Sequence, residues 1–127
     1  MTKLFDNVLN IRHNFSRLEV LKQCVQELRD WPEDVKGELA DAVARLERGH
    51  KLSMPLSRPL PSIGAGVHEL RFRDRSGIYR VIYCIVSSGR LWLIHAFKKK
   101  SQKTPPKSVN IAKERLMRVY NENIKRE

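Results

Sequence analysis

The stretch from His68 to Thr104 carries Arg71, Arg73, Arg75, Arg80 and Arg90, followed by Lys98, Lys99, Lys100 and Lys103, against only two acids, Glu69 and Asp74. Guanidinium groups offer planar, paired donors that fit phosphate oxygens, and they stay charged throughout the physiological pH range. Such a set suits chemistry that builds negative charge on phosphorus, or the holding of a multiply charged anion. The sequence has no serine or cysteine nucleophile beside a recognisable base and no glycine-rich phosphate loop.

Asp74-Arg75-Ser76-Gly77 is a turn signal between two β-rich runs, and a hairpin centred on Arg75 and Ser76 sets Arg71 opposite Arg80. Side chains alternate along a strand, so Arg71, Arg73 and Arg80 fall on one face. Like charges directly across a ladder are destabilising, which makes an anion site the better reason for the cluster. The plainer reading is that they solvate an open sheet face. A slip of one residue would send Arg80 to the other side.

Ser87-Ser88-Gly89 marks a second turn, and Arg90 to Phe97 a further antiparallel strand. The turn's length leaves open whether Arg80 pairs with His95, Ala96 or Phe97. The Lys98 to Lys103 run leaves this strand where ammonium groups could hold a nucleic-acid backbone, or simply meet solvent. Phe97, with His95 and Trp92, offers a stacking surface for an unpaired base, although Trp92 reads more readily as core. His95 has the chemistry of a general acid or base, but a strand histidine among apolar neighbours is ordinarily structural.

These strands need a scaffold. Leu4, Val8, Ile11 and Phe15 form a loose helical stripe, so residues 1–16 are expected to be an appended helix ahead of a single domain over 17–127. Arg17 to Lys22 reads as a strand followed by a short helix, although the run to Leu28 is equally readable as helix. Asp30-Trp31-Pro32-Glu33 has the pattern of a capping box, and Val35, Leu39, Val43 and Leu46 make one apolar stripe ended by Gly49. Pro55, Pro59 and Pro61 make Lys51 to Gly66 a connecting loop, with Lys51 and Arg58 adding to the basic field. Tyr79 to Val86 is apolar on both faces and should be central, with Tyr79, Val81, Tyr83 and Ile85 toward the helices. Pro105 and Pro106 open a last helix with Val109, Ala112, Leu116 and Val119 or Tyr120 on one face. Its other face, with Lys107, Lys113, Arg115 and Arg118, either lines the groove or is solvated.

The 127 residues carry a net charge of +11 and a pI near 10.1, which favours polyanionic partners. Apolar runs of at most about six residues and the lack of a signal-peptide core point away from membranes and toward the cytoplasm. Cys24 and Cys84 have no partner motif and are expected to be buried thiols. The four histidines, His13, His50, His68 and His95, lack ligand spacing. No metal or cofactor is expected.

Leu28-Arg29-Asp30-Trp31-Pro32, the helix after it, Val67-His68-Glu69-Leu70-Arg71, Tyr79-Arg80-Val81-Ile82-Tyr83 and Leu93-Ile94-His95-Ala96-Phe97-Lys98-Lys99-Lys100 resemble, in order and spacing, the RelE/HigB toxins of bacterial toxin–antitoxin pairs. The likeness is to the phage-related HigB-like branch and covers about residues 17–122. It implies an α+β fold of RelE/ParE type, with a small twisted antiparallel sheet, helices on one face and a basic concave groove on the other. It further implies metal-independent cleavage of messenger RNA in the ribosomal A site by a ribose 2′-hydroxyl. By this resemblance Arg80 matches the central-strand arginine at the scissile phosphate, and Arg71 and Arg73 match basic positions on the preceding strand. Lys98 and Lys99 match the basic pair ending the last strand, with Phe97 just before it. The family's tyrosine early in the final helix has no counterpart here, so no general base is assigned. The implied partners are a cognate antitoxin with a helix-turn-helix, the ribosome with its messenger RNA, and operator DNA only through the antitoxin complex. The competing expectations are a non-catalytic ParE-like gyrase inhibitor and a basic nucleic-acid-binding module without chemistry.

Overall fold

The computed structural model describes residues 17–99 and 103–126. The expected helix over residues 1–16 and the residue Lys100 lie outside them. In chain order the elements are β1 (Leu18–Val20), α1 (Lys22–Leu28), α2 (Glu33–Glu47), β2 (Ser57–Pro59), β3 (Val67–Asp74), β4 (Gly77–Ile85), β5 (Leu91–Lys99) and α3 (Pro106–Arg126). They build an α+β fold around one five-stranded sheet of order β1-β5-β4-β3-β2.

The β3–β4 hairpin has the expected register, with Arg71 opposite Arg80 and Asp74 opposite Gly77. Its turn is held by Asp74, whose Oδ1 accepts from the Ser76 backbone N–H at 2.7 Å and the Ser76 hydroxyl at 2.6 Å. Gly77 has φ +148°, and a Cβ there would come within 3.2 Å of the Lys99 carbonyl oxygen, so the hairpin closes against β5 only with glycine. Between β4 and β5 the register shifts after Ile82: Ile82 faces His95, while Tyr83 faces Leu93. Ile94 is the extra residue of a bulge. Below it Arg80 pairs with Phe97, which settles the pairing that the sequence left open.

Several expectations are revised. The sheet is not wholly antiparallel, since β1 pairs with β5 in parallel; the helices and strands between them supply the long connection that parallel neighbours require. The stretch read as a connecting loop contains β2, antiparallel to β3, a short edge strand that tolerates Pro59 at its end. No capping box forms, because Pro32 takes the N-cap position of α2 without a side-chain cap bond. Ile85, expected toward the helices, is 48% exposed at the end of β4.

The largest revision concerns the layers. Val35, Leu39, Val43 and Leu46 of α2 are buried, and α2 packs on β3, with Trp31 edge-on to Tyr79 at 5.1 Å. Helix α3 covers part of the opposite face: its Ser108 hydroxyl meets His95, and its Leu116 lies against Gly64, which Val67 also approaches. The sequence expectation put all helices on one side. That second face carries Val67, Ile82, Cys84 and Trp92, all buried, and so much apolar surface must be covered. Burial raises both thiols, Cys84 to about 12 and Cys24 further, so each stays a protonated core thiol.

Among the described residues no strand lies on the outer edge of β5 beyond Leu93, because β1 pairs only as far as Val20 opposite Leu93. Glu27 of α1 and Arg115 of α3 fill that edge. The Ala96 N–H donates to Glu27 at 3.1 Å, and Arg115 donates to the Ile94 carbonyl at 3.1 Å. Arg115 also forks onto both Glu27 oxygens, at 2.8 and 3.0 Å. Burial raises the Glu27 carboxyl, but hydrogen bonds from His95 and Arg115 outweigh it, and the pKa lies below the ordinary 4.5. A depressed folded-state pKa gives stability that is present above the unfolded value and lost as pH falls through the folded one. Glu27→Gln should therefore lower stability at neutral pH. The gap to the parent should close in acid below pH 4.5, as read from urea midpoints across pH.

Candidate functional site

The registers place three cross-strand rows on the face opposite α2. Arg58, Glu69, Ile82 and His95 form the first, Arg71, Arg80 and Phe97 the second, and Arg73, Ile78 and Lys99 the third. Strand alternation thus brings Arg71, Arg73 and Arg80 together as expected, and adds Lys99 and Arg58. It sends Lys98 to the other face, where it faces Tyr79 and holds its ammonium 5.4 Å from the ring centroid. Lys98 and Lys99, expected to form a basic pair at the end of the strand, therefore stand on opposite faces of it, since neighbours on a strand point in opposite directions.

Exposure differs sharply within the cluster. Arg73 and Arg58 are exposed and Lys99 is half-buried, the Arg71 side chain is 14% exposed, and Arg80 is 0% exposed. Arg80 donates to the Thr104 hydroxyl at 3.4 Å and lies 3.8 Å from Glu69 Oε1. Burial holds its pKa below the usual arginine value, with Glu69 opposing and Arg71 and Arg58 reinforcing. Glu69, also fully buried, accepts the Thr104 hydroxyl on Oε2 at 2.9 Å, and its Oε1 is 3.6 Å from Arg71 Nε. Beside Arg71 and Arg73 a cleft of about 520 Å³ opens at the β3 edge, lined also by Glu38, Pro55, Leu56, Phe72 and Ile78. Its size suits a nucleotide.

The remaining expected site residues divide clearly. Arg75 is exposed at the hairpin tip and Lys103 is exposed ahead of α3. Phe97 is half-buried and stacks on His95 at 5.0 Å. His95 is only 4% exposed, and both its nitrogens are engaged, Nδ1 with Glu27 at 3.0 Å and Nε2 with Ser108 at 3.3 Å. It does not reach the surface that a nucleic acid would touch, because α3 lies over it. Glu27, His95 and Ser108 stand in the order of an acid, a base and a nucleophile, but Ser108 is 6% exposed, which makes the trio a tether for α3. On α3, Arg115 belongs to this tether, while Arg118 pairs at the surface with Glu114 at 3.6 Å and Lys107 and Lys113 are exposed.

Sequence reasoning missed Glu69 and Thr104 as parts of the site and gave Arg58 too little weight. The period of two already put Glu69 on the arginine face, whereas Thr104 reaches it only through the path of the chain after β5.

Residues 26–117 match the family described as Phage derived protein Gp49-like (DUF891). No curated protein matches the sequence. Among solved structures, the chain is similar to a mutant of the E. coli toxin RelE in the free state, at 14% identity and a TM-score of 0.56, covering 80% of this chain and 95% of that one. At that identity the likeness is one of fold. The family match spans most of the sequence, so the chain belongs to the phage-derived Gp49-like family, within the RelE/HigB type of toxins.

Proposed function

We propose that this protein is the toxin of a toxin–antitoxin pair and a ribosome-dependent, metal-independent endoribonuclease acting on messenger RNA in the A site. The observation that carries the reading is Arg71 paired across the ladder with Arg80, with Arg73 and Lys99 in the adjacent row. Family membership and the RelE-like fold support it.

In this reading the ribose 2′-oxygen bonds to phosphorus, the bond from phosphorus to the 5′-oxygen breaks, and a cyclic phosphate and a free 5′-hydroxyl result. The 2′-hydroxyl loses its proton and the leaving oxygen gains one. Arg71 and Arg73 donate to the non-bridging oxygens as charge grows on them, and Arg80 raises the positive potential from beneath. Strand-held donors need little reorganisation. Lys99 shares the row of Arg73 and is the candidate for proton transfer to the leaving oxygen. Arg58, Arg75, Lys100 and Lys103 hold neighbouring phosphates, and Phe97 stacks on a base through its open edge. The partners are the ribosome, an antitoxin that neutralises the basic face, and operator DNA only through the antitoxin complex, all in the cytoplasm.

Pulse labelling after expression without antitoxin tests the reading, with protein synthesis expected to stop first. Arrest of DNA synthesis while translation continues would replace it with a gyrase-directed inhibitor. A finer test follows from strand alternation. Lys99→Ala should slow cleavage by about tenfold or more, and Lys98→Ala by less than about threefold, because only Lys99 faces the developing charge. Single-turnover rates on programmed ribosomes check the contrast.

A further inference from the structure

Glu69 is a carboxylate that a phosphate-binding face would be expected to avoid. It sits in the first row, opposite Arg58 and two residues before Arg71, and is 0% exposed. Among the described residues, its Oε1 makes no hydrogen bond, yet it lies 3.6 Å from Arg71 and 3.8 Å from Arg80. Its Oε2 takes the Thr104 hydroxyl, which in turn accepts from Arg80. Two adjacent guanidiniums repel each other, and burying one of them is costly without a counter-charge. A single carboxylate between them removes both difficulties.

We propose that Glu69 is the positioning residue of the arginine pair. Its buried carboxylate holds Arg71 and Arg80 side by side and, through Thr104, ties the chain leaving β5 to the same point. Glu69 does not touch the substrate; it sets the geometry from which the arginines act. As a mechanism of catalysis the proposal rests on the ribonuclease reading, whereas the arginine ordering it asserts can be read without cleavage.

The first measurement is hydrogen exchange at the guanidinium N–H groups by NMR, read at Nε of Arg71 and Nη1 of Arg80, the nitrogens that face Glu69 and Thr104. Glu69→Gln should speed exchange at Arg71 and Arg80 by about tenfold or more, with backbone amide shifts retained elsewhere. Thr104→Val, which removes only the bridging hydroxyl, should speed Arg80 and leave Arg71 unchanged. If Glu69→Gln does not fold, Thr104→Val still decides. Unchanged exchange at Arg80 in the folded variants overturns the proposal.

The second measurement is single-turnover cleavage on saturated ribosomes. Glu69→Gln should lower the rate by roughly tenfold to a hundredfold, with ribosome affinity within about threefold. Combined with Arg80→Ala it should cost about tenfold less than the product of the separate losses, because residues that act as a unit are not additive. Fully multiplicative losses would mean that Glu69 acts independently, as a base would, and would also overturn the proposal. A parent protein that does not cleave at all, with the exchange results as expected, removes the ribonuclease reading and leaves the positioning role in place.

Discussion

Arg71→Ala is expected to lower single-turnover cleavage of messenger RNA on saturated ribosomes by roughly 10²–10³, the usual cost of removing one preorganised donor from a developing oxyanion. Arg71 is partly buried and held by its surroundings. Its backbone N–H is tied to the Leu56 carbonyl at 2.8 Å, its guanidinium lies beside Glu69, and it still has access to the cleft shared with Arg73. Ribosome affinity should change little, since many other cations remain. Arg75→Ala should behave in the opposite way. In the proposed function Arg75 contributes a phosphate contact from an exposed hairpin tip, so its loss should lower the salt slope of binding by about one unit and spare the saturated rate. Equal and small losses for both variants would mean that the arginine face only binds, and the protein would then be a nucleic-acid-binding module without chemistry.

Leu116→Ala is expected to destabilise the fold by about 2–5 kcal/mol, the range for truncating a buried leucine. Leu116 is 5% exposed and sits against Gly64, which Val67 of the arginine face also approaches. Its neighbour Met117 is 62% exposed, and Met117→Ala should stay within about 0.5 kcal/mol. Urea denaturation of both variants checks the contrast. Similar midpoints for the two would mean that α3 is not docked on this face, and the burial of His95 would need another explanation.

The residues alone determined a good deal. The hairpin register, and with it the sharing of a face by Arg71, Arg73 and Arg80, followed from a four-residue turn and the period of two along a strand. The α2 stripe followed from the period of the helix, and the family from the order of short motifs. Local geometry governs all of these, so local sequence carries them. What the tertiary structure alone decided involves distant partners. The bulge at Ile94 sets the β4–β5 register, and so decides that Phe97 faces Arg80 and that Lys99, without Lys98, joins the cationic face. A strand's own alternation cannot reveal where its partner has slipped by one residue. The docking of α3 on the second face turned His95 from a surface candidate into a buried tether to Glu27 and Ser108. The closeness of Glu69 to both arginines was latent in the strand period, but its burial and its bond to Thr104 arise only when the chain after β5 returns across the sheet. A charge's role depends on how much water surrounds it, and that is a property of the packed fold.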